Sequence, residues 1–178
     1  GNGMINQKVM LLPDSILTYT LPSGNYTVAS TLGNKSVKVL APPMWNVTTP
    51  NPISVNVNNQ FMTGNNFGLK GAADVYAVDI SITAGAPPRC FLPATYLIVY
   101  YNSGTVTTHG QIRFNMSNLN VFQSSNPSPN SSVGNSYFYD YTDLQPGETR
   151  TIAVVCTHPG PFSTVTNSVS INAQDPLN

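Results

Sequence analysis

The chain has 178 residues, of which only 8% are charged, with a formal net charge of zero, whereas 40% are hydrophobic. Disordered chains combine low hydrophobicity with high net charge, so this composition predicts a folded protein. Because Lys and Arg are not in excess, we expect no nucleic-acid partner. We also expect no membrane insertion of this segment, because no apolar run approaches the roughly 20 residues that span a bilayer.

The polar residues and the turn formers together predict the fold class. Polarity comes mainly from Asn, Ser and Thr, which favour turns and strand surfaces over helix interiors. The 13 glycines and 15 prolines would interrupt any long helix. The sequence therefore predicts an all-β protein, built as two tandem antiparallel β-sandwich domains of the immunoglobulin-like kind.

In the first half, short alternating runs predict a small sheet. The predicted strands cover residues 5–12, 16–20, 26–30, 36–40 and 53–57. Gly33-Asn34 between the third and fourth runs predicts a hairpin there. The single tryptophan, Trp45, is expected to cover one end of this core.

A stretch rich in turn formers, Thr63–Gly71, predicts the join between the two domains. Phe67 and Leu69 in this stretch are expected to form the last strand of the first domain. We therefore predict a small β-sandwich domain over 1–70, with its first strand either absent or displaced, and a second β-sandwich domain over 71–178.

The second half predicts a fuller sandwich. Its expected strands cover residues 78–82, 96–101, 111–116, 119–122, 136–141, 151–156 and 165–171. Pro127 and Pro129 predict an irregular loop over 124–134, and Pro146-Gly147 predicts a tight turn. About seven strands at regular spacing are typical of an immunoglobulin-like sandwich.

Two motifs of the second half carry a resemblance to a known family. They are Tyr96-x-Ile98-x-Tyr100-x-Asn102-x-Gly104 and Leu144-x-Pro146-Gly147-Glu148-x-Arg150-x-Ile152. With them, the second half resembles the DUF11-type immunoglobulin-like repeat modules of large bacterial surface proteins.

The first half resembles a carboxypeptidase-regulatory or Cna-B-like module. The matching residues are Gly24-Asn25-Tyr26-Thr27-Val28, Pro43-x-Trp45-x-Val47 and Gly64-Asn65-Asn66-Phe67-Gly68. This order of modules is similar to secreted surface adhesins of Bacteroidetes-type bacteria that use type IX secretion. The resemblance implies a secreted or cell-surface location and no catalytic residues or cofactors. The partners expected are neighbouring domains of the same polypeptide, and a surface polysaccharide or another cell-surface ligand is the further partner considered.

Three tyrosines share one face of a predicted strand: Tyr137, Tyr139 and Tyr141. If that face points outward, the rings offer a stacking surface for glycans. If it points inward, the rings fill the sandwich core, as aromatic side chains usually do in β-domains. The sequence leaves both interpretations open.

The two cysteines, Cys90 and Cys156, also allow two interpretations. In an exported domain they can form one disulfide, and otherwise they are two buried thiols. Together with His109 and His158 they have zinc-ligand chemistry but not the local spacing of structural zinc motifs, so we expect no metal. Calcium prefers oxygen ligands, and three carboxylates near the predicted domain junction or the termini could supply them: Asp74, Asp79 and Asp175.

Asp140 and Asp143 are the only close carboxyl pair that could serve glycoside hydrolysis. We interpret them instead as a strand-end residue and a turn residue. The sequence thus favours a structural or adhesive module pair without an active site. The alternative is a carbohydrate-binding accessory module of a secreted polysaccharide-degrading enzyme.

Overall fold

A computed structural model of the chain describes residues 3–58 and 61–174. Within these residues it has fourteen β-strands and no helix, and all strand pairings are antiparallel, which confirms the predicted all-β class. The chain divides into two compact units, here called unit 1 (Gly1–Val75) and unit 2 (Tyr76–Asn178).

Unit 1 is built around a four-stranded sheet with the order β2-β1-β3-β5 and a separate pair of strands, β4 and β6. The strands are β1 (Lys8–Leu12), β2 (Ile16–Tyr19), β3 (Gly33–Leu40), β4 (Trp45–Val47), β5 (Ile53–Val57) and β6 (Leu69–Gly71). Leu11 pairs with Val37 and Val9 with Val39, so their side chains share one face. That face forms a small core, because period-2 alternation places all four on the same side.

The predicted hairpin around Gly33-Asn34 is wrong. Residues 26–30 form no strand, because Tyr26 and Val28 pack onto the small core instead of pairing with a neighbour. Gly33 and Asn34 lie inside β3, which pairs with β1 on one side and with β5 on the other. A local turn signal was therefore overridden by two pairings between residues distant in sequence.

Unit 2 consists of two four-stranded sheets with the orders β10-β13-β8-β7 and β11-β12-β9-β14. The strands are β7 (Val78–Ala84), β8 (Pro93–Asn102), β9 (Thr108–Asn115), β10 (Val121–Asn126), β11 (Ser131–Val133), β12 (Ser136–Leu144), β13 (Thr149–Thr157) and β14 (Ser168–Ile171).

One hydrophobic core joins the two sheets of unit 2 into a β-sandwich. Ile98 and Val154 from the first sheet and Ile112 and Phe114 from the second are completely buried in the same cluster. In β8 and β13 every second residue is buried, as expected for strands with one face toward a core.

The loop predicted over 124–134 is shorter than expected. β10 continues to Asn126 by pairing with β13, and β11 forms by pairing with β12 across the turn at Gly134. Pro127 and Pro129 lie between these strands and not within them, in keeping with the missing N–H of proline. Unit 2 therefore has eight strands where the sequence predicted about seven.

The eight strands alternate in direction between two ends of the sandwich. We call one the Asn102 end, where β8 ends, β9 begins, β12 ends and β13 begins. The opposite or distal end carries the connections between strands at residues 85–92, 116–120, 134–135 and 158–167.

The chain enters and leaves the described part of unit 2 at the same end. Val78 at the start of β7 pairs with Asn102, and Gln174 after β14 bridges to His109 near the start of β9. This follows from the even number of antiparallel strands. The distal end therefore contains only loops and strand ends that project away from both points.

Truncation of the buried ring in Phe114→Ala is expected to lower the free energy of unfolding by about 3–5 kcal/mol, because it removes a large apolar side chain and leaves a cavity. Urea denaturation followed by circular dichroism measures the change. Val133→Ala, at a 74% exposed position, is the control and should change stability by less than about 0.5 kcal/mol. Equal losses for the two variants would contradict the assigned core.

Candidate functional site

The tyrosine row on β12 points into the core. Tyr139 and Tyr141 are only 2% and 3% exposed, and Tyr137 packs against the same cluster, with its ring stacked on Phe122 at a centroid distance of 4.2 Å. Burial raises the pKa of all three hydroxyls. The interpretation of Tyr137, Tyr139 and Tyr141 as a glycan-stacking face is therefore wrong, because their rings are used for packing between the sheets.

The two cysteines are not bonded to each other. Cys156 on β13 is buried in the core, with its Sγ 3.5 Å from the Sδ of Met116, whereas Cys90 lies in an exposed distal loop. Burial raises the pKa of the Cys156 thiol to about 11. Cys156 thus fits the buried-thiol interpretation, the exposed Cys90 does not, and the disulfide that the sequence left open is not formed.

The residues considered for metals do not form a cluster in the structure. His109 lies toward the Asn102 end and His158 at the distal end. Asp74 and Asp79 are exposed, while Asp175 lies outside the described residues. Within residues 3–58 and 61–174, no three His, Cys, Asp or Glu side chains are grouped to hold a metal ion.

Asp140 and Asp143 each have a local structural role. The carboxylate of Asp140 accepts a hydrogen bond of 2.8 Å from the Gln111 side chain on the neighbouring strand. Asp143 has a φ of 51°, a left-handed conformation that Asp tolerates at irregular strand positions. Its carbonyl accepts a hydrogen bond from Arg150 at 3.1 Å.

The two sequence motifs of unit 2 meet at Asn102, which is completely buried. Its Nδ2 donates to the carbonyls of Leu144 at 2.8 Å and Val106 at 2.9 Å, and its Oδ1 accepts from the N–H of Gly104 at 2.9 Å. Its backbone carbonyl accepts from the N–H of Gly147, also at 2.9 Å. One side chain thus connects the ends of β8 and β12 to the loop that follows β8.

The predicted turn at Pro146-Gly147 is confirmed, and an ion pair holds it. Gly147 has a φ of 79° and Glu148 N–H donates to the Gln145 carbonyl at 2.9 Å, as in a type II turn. Glu148 accepts from Arg150 Nε at 2.6 Å. Burial raises the pKa of Glu148, but hydrogen bonds from Arg150 and Gln145 outweigh it, so the net pKa is lowered. These motif residues stabilise a strand connection.

The distal end holds a cavity of about 290 Å³ between the loops 85–92 and 158–167. Two backbone hydrogen bonds of 3.2 Å join the two loops, one from Phe91 N–H to the His158 carbonyl and one from His158 N–H to the Leu92 carbonyl. Tyr96 and His158 line the cavity, and the Tyr96 hydroxyl lies 2.8 Å from His158 Nε2. We call this the distal cavity.

Exposed apolar side chains are concentrated at the same end. Of the eight large ones in the described part of unit 2, six lie there: Phe91, Leu92, Leu119, Val121, Val133 and Phe162. Phe91 and Phe162 have φ values of 60° and 67°, which bulky side chains rarely adopt. Such strained residues are found more often at binding sites than elsewhere, which makes the distal cavity the candidate functional site.

A second cavity of the same volume lies beside β9 and β12. Its polar groups are already used within the fold: Asn172 Oδ1 accepts from Gln111 N–H at 2.7 Å, and the Tyr141 hydroxyl donates to the Asn172 carbonyl. Both groups therefore act in packing the end of β14 against β9 and β12.

No protein-family model, no curated protein and no solved structure matches the chain. In the described parts of the chain, which are strands and loops, no helix could cross a membrane. The interpretation of the distal cavity therefore depends on its own geometry.

Sequence reasoning missed the distal cavity because its two loops are far apart in the chain. Tyr96 and His158, which meet in it, are 62 residues apart. The available signal was a phenylalanine in each of two proline-containing loops, at Pro88–Phe91 and Pro159–Phe162.

Removal of the buried amide in Asn102→Ala is expected to destabilise unit 2 by at least about 2 kcal/mol, because two carbonyls and one N–H lose their partner inside the protein. Chemical denaturation measures the loss. The control is Asn118→Ala, an exposed position in a distal loop, which should leave stability nearly unchanged. An Asn102 variant as stable as this control would show that the amide is dispensable.

A thiol reagent such as dithionitrobenzoate should modify one cysteine in the native chain and two in denaturant. Cys90 is exposed, whereas Cys156 is buried and its raised pKa keeps it protonated and unreactive. Native Cys90→Ser protein should therefore be almost unlabelled. Rapid labelling of that variant under native conditions would be incompatible with a buried Cys156.

Proposed function

We propose that this chain is a non-catalytic structural and adhesive module pair of a large exported bacterial cell-surface protein. Unit 2 would present a binding surface away from the polypeptide that carries it. The proposal includes the DUF11-type assignment of the second half, the regulatory or Cna-B-like assignment of the first half, and the secreted or cell-surface location.

The observation that carries the proposal is the difference between the two ends of unit 2. Val78 and Gln174 lie at the Asn102 end, where buried hydrogen bonds join the strands. The distal end instead has the strained, exposed rings of Phe91 and Phe162. A module whose chain enters and leaves at one end and whose exposed apolar side chains lie at the other is suited to contact a partner with the apolar end.

Charged residues of unit 2 are engaged in contacts within the fold, which supports a non-catalytic role for this chain. Asp140 and Asp143 belong to strand and turn hydrogen bonds, and Glu148 and Arg150 pair with each other. General acid–base chemistry needs such groups to be placed together beside a substrate. Here each one contributes to a connection between strands.

The second candidate function is a carbohydrate-binding accessory module of a secreted polysaccharide-degrading enzyme. The distal cavity favours it, because a concave site with a few polar groups and exposed aromatic rings is typical of small-ligand binding. The two candidates differ in the parent protein and agree on the part of unit 2 that would make contact.

The proposal predicts that the intact chain, immobilised through a terminal tag, retains specific glycans from an array and releases them with unchanged mass. Retention is measured by fluorescence and the mass by mass spectrometry, with heat-denatured chain as the control. Shortened glycans would indicate an enzyme. Failure to retain any glycan or any cell-surface polysaccharide would contradict the adhesive role.

A further inference from the structure

We infer that the distal cavity of unit 2 binds a sugar residue that carries a carboxylate, such as a uronic acid within a polysaccharide. This inference rests on the proposed adhesive function and adds the chemical class of its ligand. It is carried by the charge, the aromatic surface and the size of the site.

Arg89 provides the charge. It is the only Lys, Arg, Asp or Glu among the described residues that line the distal cavity, and no described residue forms an ion pair with it. A guanidinium binds a carboxylate through two parallel hydrogen bonds, a geometry that neither a hydroxyl nor an amide of a ligand reproduces. The site therefore favours an anionic ligand with a planar acceptor over a neutral one.

The aromatic surface comes from two loops. Phe162 lines the cavity and is fully exposed, and Phe91, which is 70% exposed, lies against Gly160 at the cavity wall. A Cβ at Gly160 would come within 2.8 Å of the Phe91 ring, so the ring in this position lies directly against the glycine backbone. The C–H face of a pyranose is an apolar surface of the kind that such rings cover.

The floor of the cavity is polar and held in place. His158 is only 9% exposed, and its Nε2 pairs with the Tyr96 hydroxyl. The loop that follows is anchored by Asn167, whose Oδ1 accepts from Ser117 N–H at 2.9 Å and from Asn120 Nδ2 at 3.3 Å. Preorganised polar groups of this kind can orient ligand hydroxyls at little entropic cost.

The size of the cavity fits one sugar ring. Its volume of about 290 Å³ is at the lower limit of small-molecule pockets, which begin at roughly 300 Å³. A long polysaccharide would therefore place one residue in the cavity and extend past the exposed rings. A peptide is the other ligand that two exposed phenylalanines could attract, although Arg89 and the concave polar floor give a uronate more partners.

The test compares galacturonate oligomers with galactose oligomers of the same length, by isothermal titration calorimetry on the intact chain. The ligands differ mainly in the carboxylate, so the galacturonate oligomers should bind at least about tenfold more tightly. Arg89→Gln should reduce that preference to near zero, and Phe162→Ala should weaken binding of both ligands.

Matched controls separate the site from general charge and hydrophobicity. Arg113→Gln removes a surface arginine that contacts Ser136 and Phe138, and Phe61→Ala removes a 94% exposed ring of unit 1. Both controls should bind the galacturonate oligomers like the unmodified chain. Circular dichroism of every variant checks that the fold is retained.

The outcomes distinguish this inference from the proposed function. If the chain retains glycans but binds both oligomers equally, or if Arg89→Gln leaves the preference intact, the uronate site is overturned while the adhesive role stands. Binding of aromatic peptides in place of galacturonate at the same residues would also overturn it. If the chain retains no glycan at all, both proposals fail.

Discussion

The buried amide of Asn102 is the interaction on which unit 2 depends most directly. It satisfies two carbonyls and one N–H at the place where β8, β9 and β12 meet, and its backbone carbonyl receives the N–H of Gly147. In an apolar core each of these groups would be costly without a partner. The side chain therefore joins the ends of β8 and β12, and the backbone carbonyl of the same residue holds the Pro146-Gly147 turn.

This arrangement separates stability from recognition within one module. The buried amide of Asn102 joins the two sheets at the end where the chain enters and leaves the described part of unit 2. The distal loops carry less of the core and can hold Phe91 and Phe162 in strained, exposed conformations. A rigid end supports a site on loops, which is how many β-sandwich proteins combine a stable fold with a binding surface.

The sequence was most informative where local patterns determine local structure. Alternation predicted β5 at Ile53–Val57 and the strands over 78–82 and 151–156, and Pro146-Gly147 predicted its turn. The sequence-based prediction failed where pairing with another strand determines the structure. Examples are Gly33 inside β3 and the serine-rich strands β10 and β11. The Tyr137–Tyr141 row could not be assigned to a face without the partner sheet. The distal cavity was missed because it is formed by loops that are distant in sequence.

Amide hydrogen exchange followed by NMR tests the central claim, that the buried hydrogen bonds of Asn102 hold unit 2 together. The account predicts that the N–H groups of Gly104 and Gly147, which donate to Asn102, exchange only through global unfolding. The N–H groups of residues 162–166 in the distal loop, where the structure has no strand, should exchange orders of magnitude faster. Fast exchange of Gly104 and Gly147 alongside protected distal loops would contradict it.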